Sequence, residues 1–417
     1  MWRASAVSTR KGASMSDSSK IEWTDASWNP IRARNLKTGK VGWHCEHDTT
    51  GCKFCYAEGF NMRLGTGLPF KPGHRKDLEI FLDEKMLLAP LRWKKPRRVF
   101  VCSMTDAFAS FVKDEWLDKM LAVMALSPQH TFQVLTKRAE RMREYFAKPF
   151  RANWSSVVTK FLAEGYFKKN DWTPAKATAA IWECPALPNV WLGVSTERQQ
   201  EADERIPLLL QTPAAVRFIS AEPLLGPIDL KRWMPSGTWG SFKGAPVYHQ
   251  TYFMTKCEHC GWLGSSELVD LCSYGDDADC VCPACHKIFM CDDFGDGRGL
   301  RWIIAGGESG RGARPMHPAW ARSLREQCAA ANVRFFFKQF GAWAPYTPVA
   351  GGDLGREVKT GRVQVVHPTG QSDLEVFTAT GGRNTIPGTI YMKRVGKKKS
   401  GRLLDGKEHN EFPELAT

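Results

Sequence analysis

The chain has 417 residues, 43% of them hydrophobic, with 58 basic against 44 acidic side chains for a net charge of +14. Its mean hydropathy is −0.36, and it holds no run of about 18 apolar residues, which argues against a membrane span. Met1 to Lys20 lacks an apolar core, which argues against secretion; it superficially resembles a transit peptide, but a disordered tail is expected, with Met15 an alternative start. Ile21 to Thr24 and Ala26 to Pro30 read as a short first strand closed by Asn29-Pro30. A cysteine loop follows, then a helix over Tyr56–Leu64 and another over Leu78–Leu91. Arg97–Cys102 reads as a second strand and Lys113–Ala125 as an amphipathic helix. Thr131–Leu135 is a third strand and Ala139–Phe146 a helix, while 147–187 reads as an irregular, aromatic-rich insertion. Further strands are expected at Asn189–Val194, Val216–Ser220 and Leu300–Ala305, with helices at Glu197–Leu210 and Pro318–Ala331 and a last possible strand at Val333–Lys338.

Strand, loop and helix thus alternate about six times, with near-continuous apolar strands, the pattern of a parallel sheet covered by helices. Five strands end in polar words: Ser103-Met104-Thr105-Asp106, Thr136-Lys137-Arg138, Ser195-Thr196, Ala221-Glu222-Pro223 and Gly306-Gly307-Glu308-Ser309. Singly, each is as well explained by helix capping. Together, at the end where (β/α) barrels carry their chemistry, they favour a site. The glycines of Gly306-Gly307 are expected to admit a ligand close to the backbone.

Thirteen cysteines would suggest disulfides in a small secreted protein. Here ten fall in two clusters of a large chain, which points to metal binding in a reducing compartment. Cys45, Cys52 and Cys55 lie within eleven residues, with Gly51 expected to relax the turn. Three thiolates suit a four-iron cluster with one iron left open, the favoured reading; they are one short of a closed zinc sphere, which His44 or His47 could complete. Cys257, Cys260, Cys282 and Cys285 form two C-x2-C knuckles at zinc-ribbon spacing, inserted at 233–298, with a second iron–sulfur cluster as the rival reading. Cys272, Cys280, Cys291 and His286 are extra potential ligands, whereas Cys102, Cys184 and Cys328 stand alone. The segment Lys393–Arg402 carries six positive charges, and Lys397, Lys398 and Lys399 are its candidate phosphate contacts.

The aromatic Phe54 before Cys55 resembles the C-x-aromatic-C ending of radical S-adenosylmethionine enzymes, although the cysteine spacing is wider than their commonest pattern. The order of Glu22-Trp23-Thr24, the cysteine loop, the polar strand ends, Phe337-Lys338-Gln339-Phe340-Gly341 and Leu404-Asp405-Gly406 resembles a phage and bacterial family of unknown function with a three-cysteine motif, distantly similar to spore photoproduct lyase. That resemblance implies an open six-stranded (β/α) barrel at 21–232 and 299–345, interrupted by the ribbon and followed by a basic extension at 346–417. It implies a [4Fe-4S] cluster on Cys45, Cys52 and Cys55, with S-adenosyl-L-methionine chelating the open iron and splitting to a 5′-deoxyadenosyl radical. Asp106 beside Ser103 is then the candidate for the cofactor amino group. Lys137 or Arg138 would face its carboxylate, Ser195 or Thr196 its ribose, and Glu222 completes the set. The implied setting is the cytoplasm of a bacterium or phage-infected cell, the electron donor a flavodoxin or ferredoxin, and the substrate a nucleic-acid base or nucleotide. The alternative from another class is a non-catalytic, zinc-dependent nucleic-acid-binding protein in which both cysteine clusters are structural.

Overall fold

The computed structural model describes residues 19–148, 151–163, 186–242, 245–271, 279–348, 353–370 and 387–414. The expected tail lies almost wholly outside them, as do Cys184 and Cys272. Seven strands form one parallel sheet: β1 (Ala26–Trp28), β2 (Arg98–Val101), β3 (Thr131–Thr136), β4 (Val190–Ser195), β5 (Val216–Ala221), β6 (Trp302–Gly306) and β7 (Arg334–Gln339). They neighbour one another strictly in chain order. The expectation of six strands is corrected to seven, because Arg334–Gln339 pairs with β6 along its whole length.

Five steps of about 4.8 Å would part β1 from β6 by roughly 24 Å in a flat sheet. Yet the ring of Trp23, just before β1, lies 6.1 Å from that of Trp302 on β6. The sheet is therefore curled into a half-barrel. Its concave face is filled by Trp23, Phe100, Trp191, Phe218, Trp302, Ile304 and Phe336, and Gly193 is required there because a Cβ would enter the Phe218 ring. The convex face buries helices α2 (Asp114–Ala125), α3 (Ala139–Ala147), α5 (Gln199–Leu210) and α6 (Pro318–Ala330) in the main core. Among the described residues no helix is long and apolar enough to cross a membrane.

Two local expectations fail. Leu78–Leu91 is not one helix: Leu78–Leu82 is a strand paired antiparallel with Ile31–Asn35. Asp83 then caps a single turn by accepting from the backbone N–H of Met86. Within 147–187 the described part departs from expectation: Arg151–Ala163 is a regular helix, α4, and Trp154, Val158 and Phe161, four and three residues apart, bury one face of it in the main core. Residues 164–185 of that expected insertion lie outside the described residues. Nor is the segment after 345 a mere appendage. Trp343–Tyr346, Val363–Val366 and Ile390–Arg394 make a three-stranded antiparallel sheet. Residues 409–412 lie along the free edge of β7, where the His409 carbonyl accepts from the Phe337 N–H and Trp302 Nε1 donates to the Glu411 carbonyl.

Candidate functional site

The carboxyl ends of the strands open into a cavity of about 370 Å³, lined by all three cysteines of the loop and by Ser103, Asp106, Lys137, Arg138, Ser195, Glu222 and Lys397. Thr196 is buried behind it, and Lys398 and Lys399 lie outside its lining. Cys55 immediately precedes α1 (Tyr56–Leu64), the helix expected there, without a side-chain cap.

The polar strand ends hold the cysteine loop in place. After β2, Thr105 Oγ1 donates to the His44 carbonyl at 2.5 Å. After β3, Arg138 Nη2 donates to the Glu46 carbonyl at 2.7 Å. From α5, Arg205 Nη2 meets Asp48 Oδ2 at 2.5 Å. Beyond β6, Arg314 Nη2 reaches the Thr50 carbonyl at 3.0 Å while gripping Glu308 through both carboxylate oxygens. Four elements thus converge on one irregular loop, two of the contacts coming from Thr105 and Arg138 of the strand-end words.

This engagement bears on each expected cofactor contact. Asp106 accepts from Thr136 Oγ1, from the Phe108 and Lys137 backbone N–H groups and from Arg138 Nη1 at 2.7–3.0 Å, which fills the roughly four acceptor positions of a carboxylate. Its visible role is to orient Arg138. Lys137 Nζ is paired with Glu197. Ser103 Oγ exchanges hydrogen bonds with the Asn29 side chain at 3.2–3.3 Å. Thr196 Oγ1 has no hydrogen-bond partner among the described residues and does not line the cavity. Glu222 pairs with Lys338 Nζ at 2.5 Å, and both line the cavity.

Glu197 and Lys338 escaped sequence reading, as did Glu46 and Arg205. Glu197 follows Ser195-Thr196 directly and reads as the start of a charged helix, but its side chain is 0% exposed, between Lys137 and Arg205. Burial opposes its ionisation, yet Lys137 and then Arg205 hold its carboxyl below the ordinary range. Gly51 lies against that carboxylate, where a Cβ would collide with it; its φ is not in the left-handed region, so space, not turn geometry, requires the glycine. Gly307 likewise abuts the Phe340 carbonyl and Gly341 abuts the Glu308 carbonyl. Gly307 thus makes a backbone-to-backbone contact that ties the β6 and β7 ends together, and it also lines the cavity, where close approach of a ligand was expected.

The two cysteine clusters differ in geometry. Cys257, Cys260, Cys282 and Cys285 place their sulfurs all within 4.8 Å, the one such group of three or more possible ligands among the described residues. Four thiolates about 2.3 Å from one tetrahedral ion stand roughly 3.8 Å apart. Here the Cys257–Cys285 and Cys260–Cys282 separations are 3.8 and 3.6 Å. The two knuckles match in backbone: Gly261 N–H donates to the Cys257 carbonyl and His286 N–H to that of Cys282, both at 2.9 Å, with Gly261 and His286 at φ 74 and 56°. His286 therefore serves as a turn residue, and Cys280 packs into the small core with Trp262 and Phe289. Burial opposes ionisation of Cys282, but the backbone N–H groups of Cys285 and Ala284 and the neighbouring thiols bring it down to about 7. This cluster can hold a metal ion.

Cys45, Cys52 and Cys55 do not meet that single-ion distance as a trio. His44 and His47 do not complete a sphere with them. His44 is buried against Phe70 and Phe111, and His47 pairs with Glu58 at 3.1 Å. Burial, and then the Asp106 carboxylate, push the Cys45 thiol up to about 12; a thiol so disfavoured as a free anion ionises when a metal centre takes it.

A family model described as Protein of unknown function (DUF5131) matches residues 18–413. No curated protein and no solved structure matches the chain.

Proposed function

We propose, on the premise that this chain belongs to the DUF5131 family of proteins of unknown function, that it is a radical S-adenosylmethionine-type enzyme acting on a nucleic-acid base or nucleotide. One observation carries the reading: three cysteines on one loop and the polar ends of successive parallel strands line a single cavity of about 370 Å³, a volume in the range of small-ligand sites. On this reading the curled sheet is a partial barrel of the radical S-adenosylmethionine type. Cys45, Cys52 and Cys55 hold a [4Fe-4S] cluster, whose wider separation of thiolates suits a trio that does not converge on one ion. Cluster and cofactor would supply a low-potential electron and radical chemistry that side chains cannot.

The chain's own residues bind, orient and exclude water. Trp23, Phe54, Phe70 and Phe100 give the cavity apolar walls. Arg138, held by Asp106, presents a fixed guanidinium to an anionic group. The Glu222–Lys338 pair offers a carboxylate and an ammonium side by side for hydrogen bonds to a heterocycle or for moving a proton at its edge. The two-knuckle insertion is read as a structural zinc site. Support from the basic segment is thinner than its charge suggests, because Lys393 pairs with Glu357, Lys397 with Glu22 and Arg402 with Glu408, which leaves Lys398 and Lys399 as the exposed phosphate contacts of Lys397–Lys399.

Anaerobic reconstitution with iron and sulfide tests the reading. About four irons per chain with visible absorption are expected, lost when Cys45, Cys52 and Cys55 are all replaced by Ala while the metal at the four-cysteine cluster stays. A triple variant that keeps its iron sinks the assignment. A colourless protein holding only zinc would favour the non-catalytic nucleic-acid-binding alternative.

A further inference from the structure

Residues 233–298 hold four basic and nine acidic side chains, a balance of −5 inside a chain of +14. Four thiolates around one divalent ion would add a further net negative charge. This insertion is therefore poorly suited to gripping a polyanion, the role that its knuckles suggest at first sight.

Its small sheet has two unlike faces. Asp270, Val281 and Ile288 lie directly opposite one another across three antiparallel strands, and directly opposed residues share a face. Phe289, between Ile288 and Met290, points the other way into the core with Cys257, Cys282 and Trp262. Ile288 and Met290 consequently point outward, 55% and 51% exposed, on the edge strand of that sheet. The chain runs on from Met290 through Cys291 into exposed Asp292 and Asp293. Glu258, Glu267, Asp270, Asp292 and Asp293 have no Lys or Arg ion-pair partner among the described residues, whereas Asp296 nearby is paired with Arg217. Apolar side chains with Asp270 on the same face, Asp279 opposite Met290 in register and Asp292 and Asp293 next in the chain make a surface whose complement is apolar and basic.

We infer that the outer face of the knuckle sheet, centred on Ile288 and Met290, docks a lysine- or arginine-rich segment of a partner protein that also carries apolar side chains. Charge sign selects this occupant. A nucleic acid is repelled by the acids, and a second copy of a chain at +14 meets the long-range repulsion of its own kind. The inference stands whether or not the barrel carries an iron–sulfur cluster, because it uses no residue of that site.

The test is selection of a random twelve-residue peptide library on the metal-loaded full chain. Counter-selection uses the full chain carrying Ile288→Ser and Met290→Ser. Both side chains are exposed, so metal content and far-ultraviolet circular dichroism are expected unchanged, which separates a lost surface from a lost fold. Peptides that prefer the wild type should carry net positive charge and apolar residues. Their affinity should fall about tenfold or more with Ile288→Ser and Met290→Ser, and again with Asp292→Lys and Asp293→Lys, an effect that grows as salt is lowered. Wild-type-selective peptides that are neutral or acidic overturn the proposal, as does a library that cannot tell the two proteins apart. So does self-association, or binding of a duplex oligonucleotide, that the Ile288 and Met290 replacements abolish.

Discussion

Replacing Glu197 by Gln removes the buried anion shared by Lys137 and Arg205 while keeping the volume of the side chain. The Glu197 side chain is 0% exposed, against 6% for Arg205 and 20% for Lys137. Breaking a buried ion pair by removing one partner costs about 3–5 kcal/mol, mostly from the charge left behind. Arg205 keeps Asp48 at 2.5 Å and the Ser195 carbonyl at 2.8 Å, and Lys137 has some access to water. The expected loss is thus at the lower end, about 3 kcal/mol, or roughly a hundredfold in the folding constant. No cavity term is added, because Gln fills the same space. Urea unfolding, followed by circular dichroism and tryptophan fluorescence so that coincident transitions can be checked, reads the loss directly. Adding Lys137→Gln to Glu197→Gln should restore part of the stability, since one uncompensated charge is then gone. A single variant within about 0.5 kcal/mol of wild type, the ordinary range for surface changes, would refute the claim that this pair organises the site.

Acid should weaken the fold through His317, which caps α6 by accepting from the Ala319 N–H at Nδ1 and approaches the Gly388 carbonyl at Nε2. Both contacts need the neutral ring with its proton on Nε2, and burial lowers the folded pKa. The unfolded chain then takes up the proton first, so stability falls as pH drops below about 6.5 and levels off below the folded pKa. His317→Asn keeps a good cap and should show a smaller fall in urea midpoint between pH 7.5 and 5.5; an equal fall would show that His317 is not the group responsible. Serine at Cys257 and Cys282 together should release one metal ion and open the insertion to protease, leaving the circular dichroism of the sheet little changed. Unchanged metal content by plasma emission would remove those residues from the ligand set.

The period of strand and helix was readable because each parallel strand is buried on both faces and so reads as an apolar run, Val99–Val101 and Ile303–Ala305 being examples. The polar words at the strand ends also located the cavity. What those words do was hidden, since it depends on partners far away in sequence: Arg314 on Thr50, Arg205 on Asp48, Lys338 on Glu222. Leu78–Leu91 misled because its leucines fit a helical period, while pairing with Ile31–Asn35 decides the outcome. Trp154, Val158 and Phe161 did carry a helical signal, masked by surrounding aromatics that look irregular. Counting charge over the insertion alone, instead of over the whole chain, was enough to reveal its acidity.

The strictly sequential strand order sets a timetable for making the protein. Each new strand pairs with the one made just before it, so no strand of this sheet waits for a more distant one. The seam is different. Phe412 packs on Trp302 and Phe336, and the Arg98 guanidinium of β2 lies 3.8 Å over the same ring. One late aromatic thereby staples the second strand to the sixth and seventh across the open side of the half-barrel. Until residue 412 is synthesised Trp302 and Phe336 lack that cover. A chain stopped short of Phe412 would leave Trp302 and Phe336 without that ring and the Arg98 guanidinium without its aromatic partner.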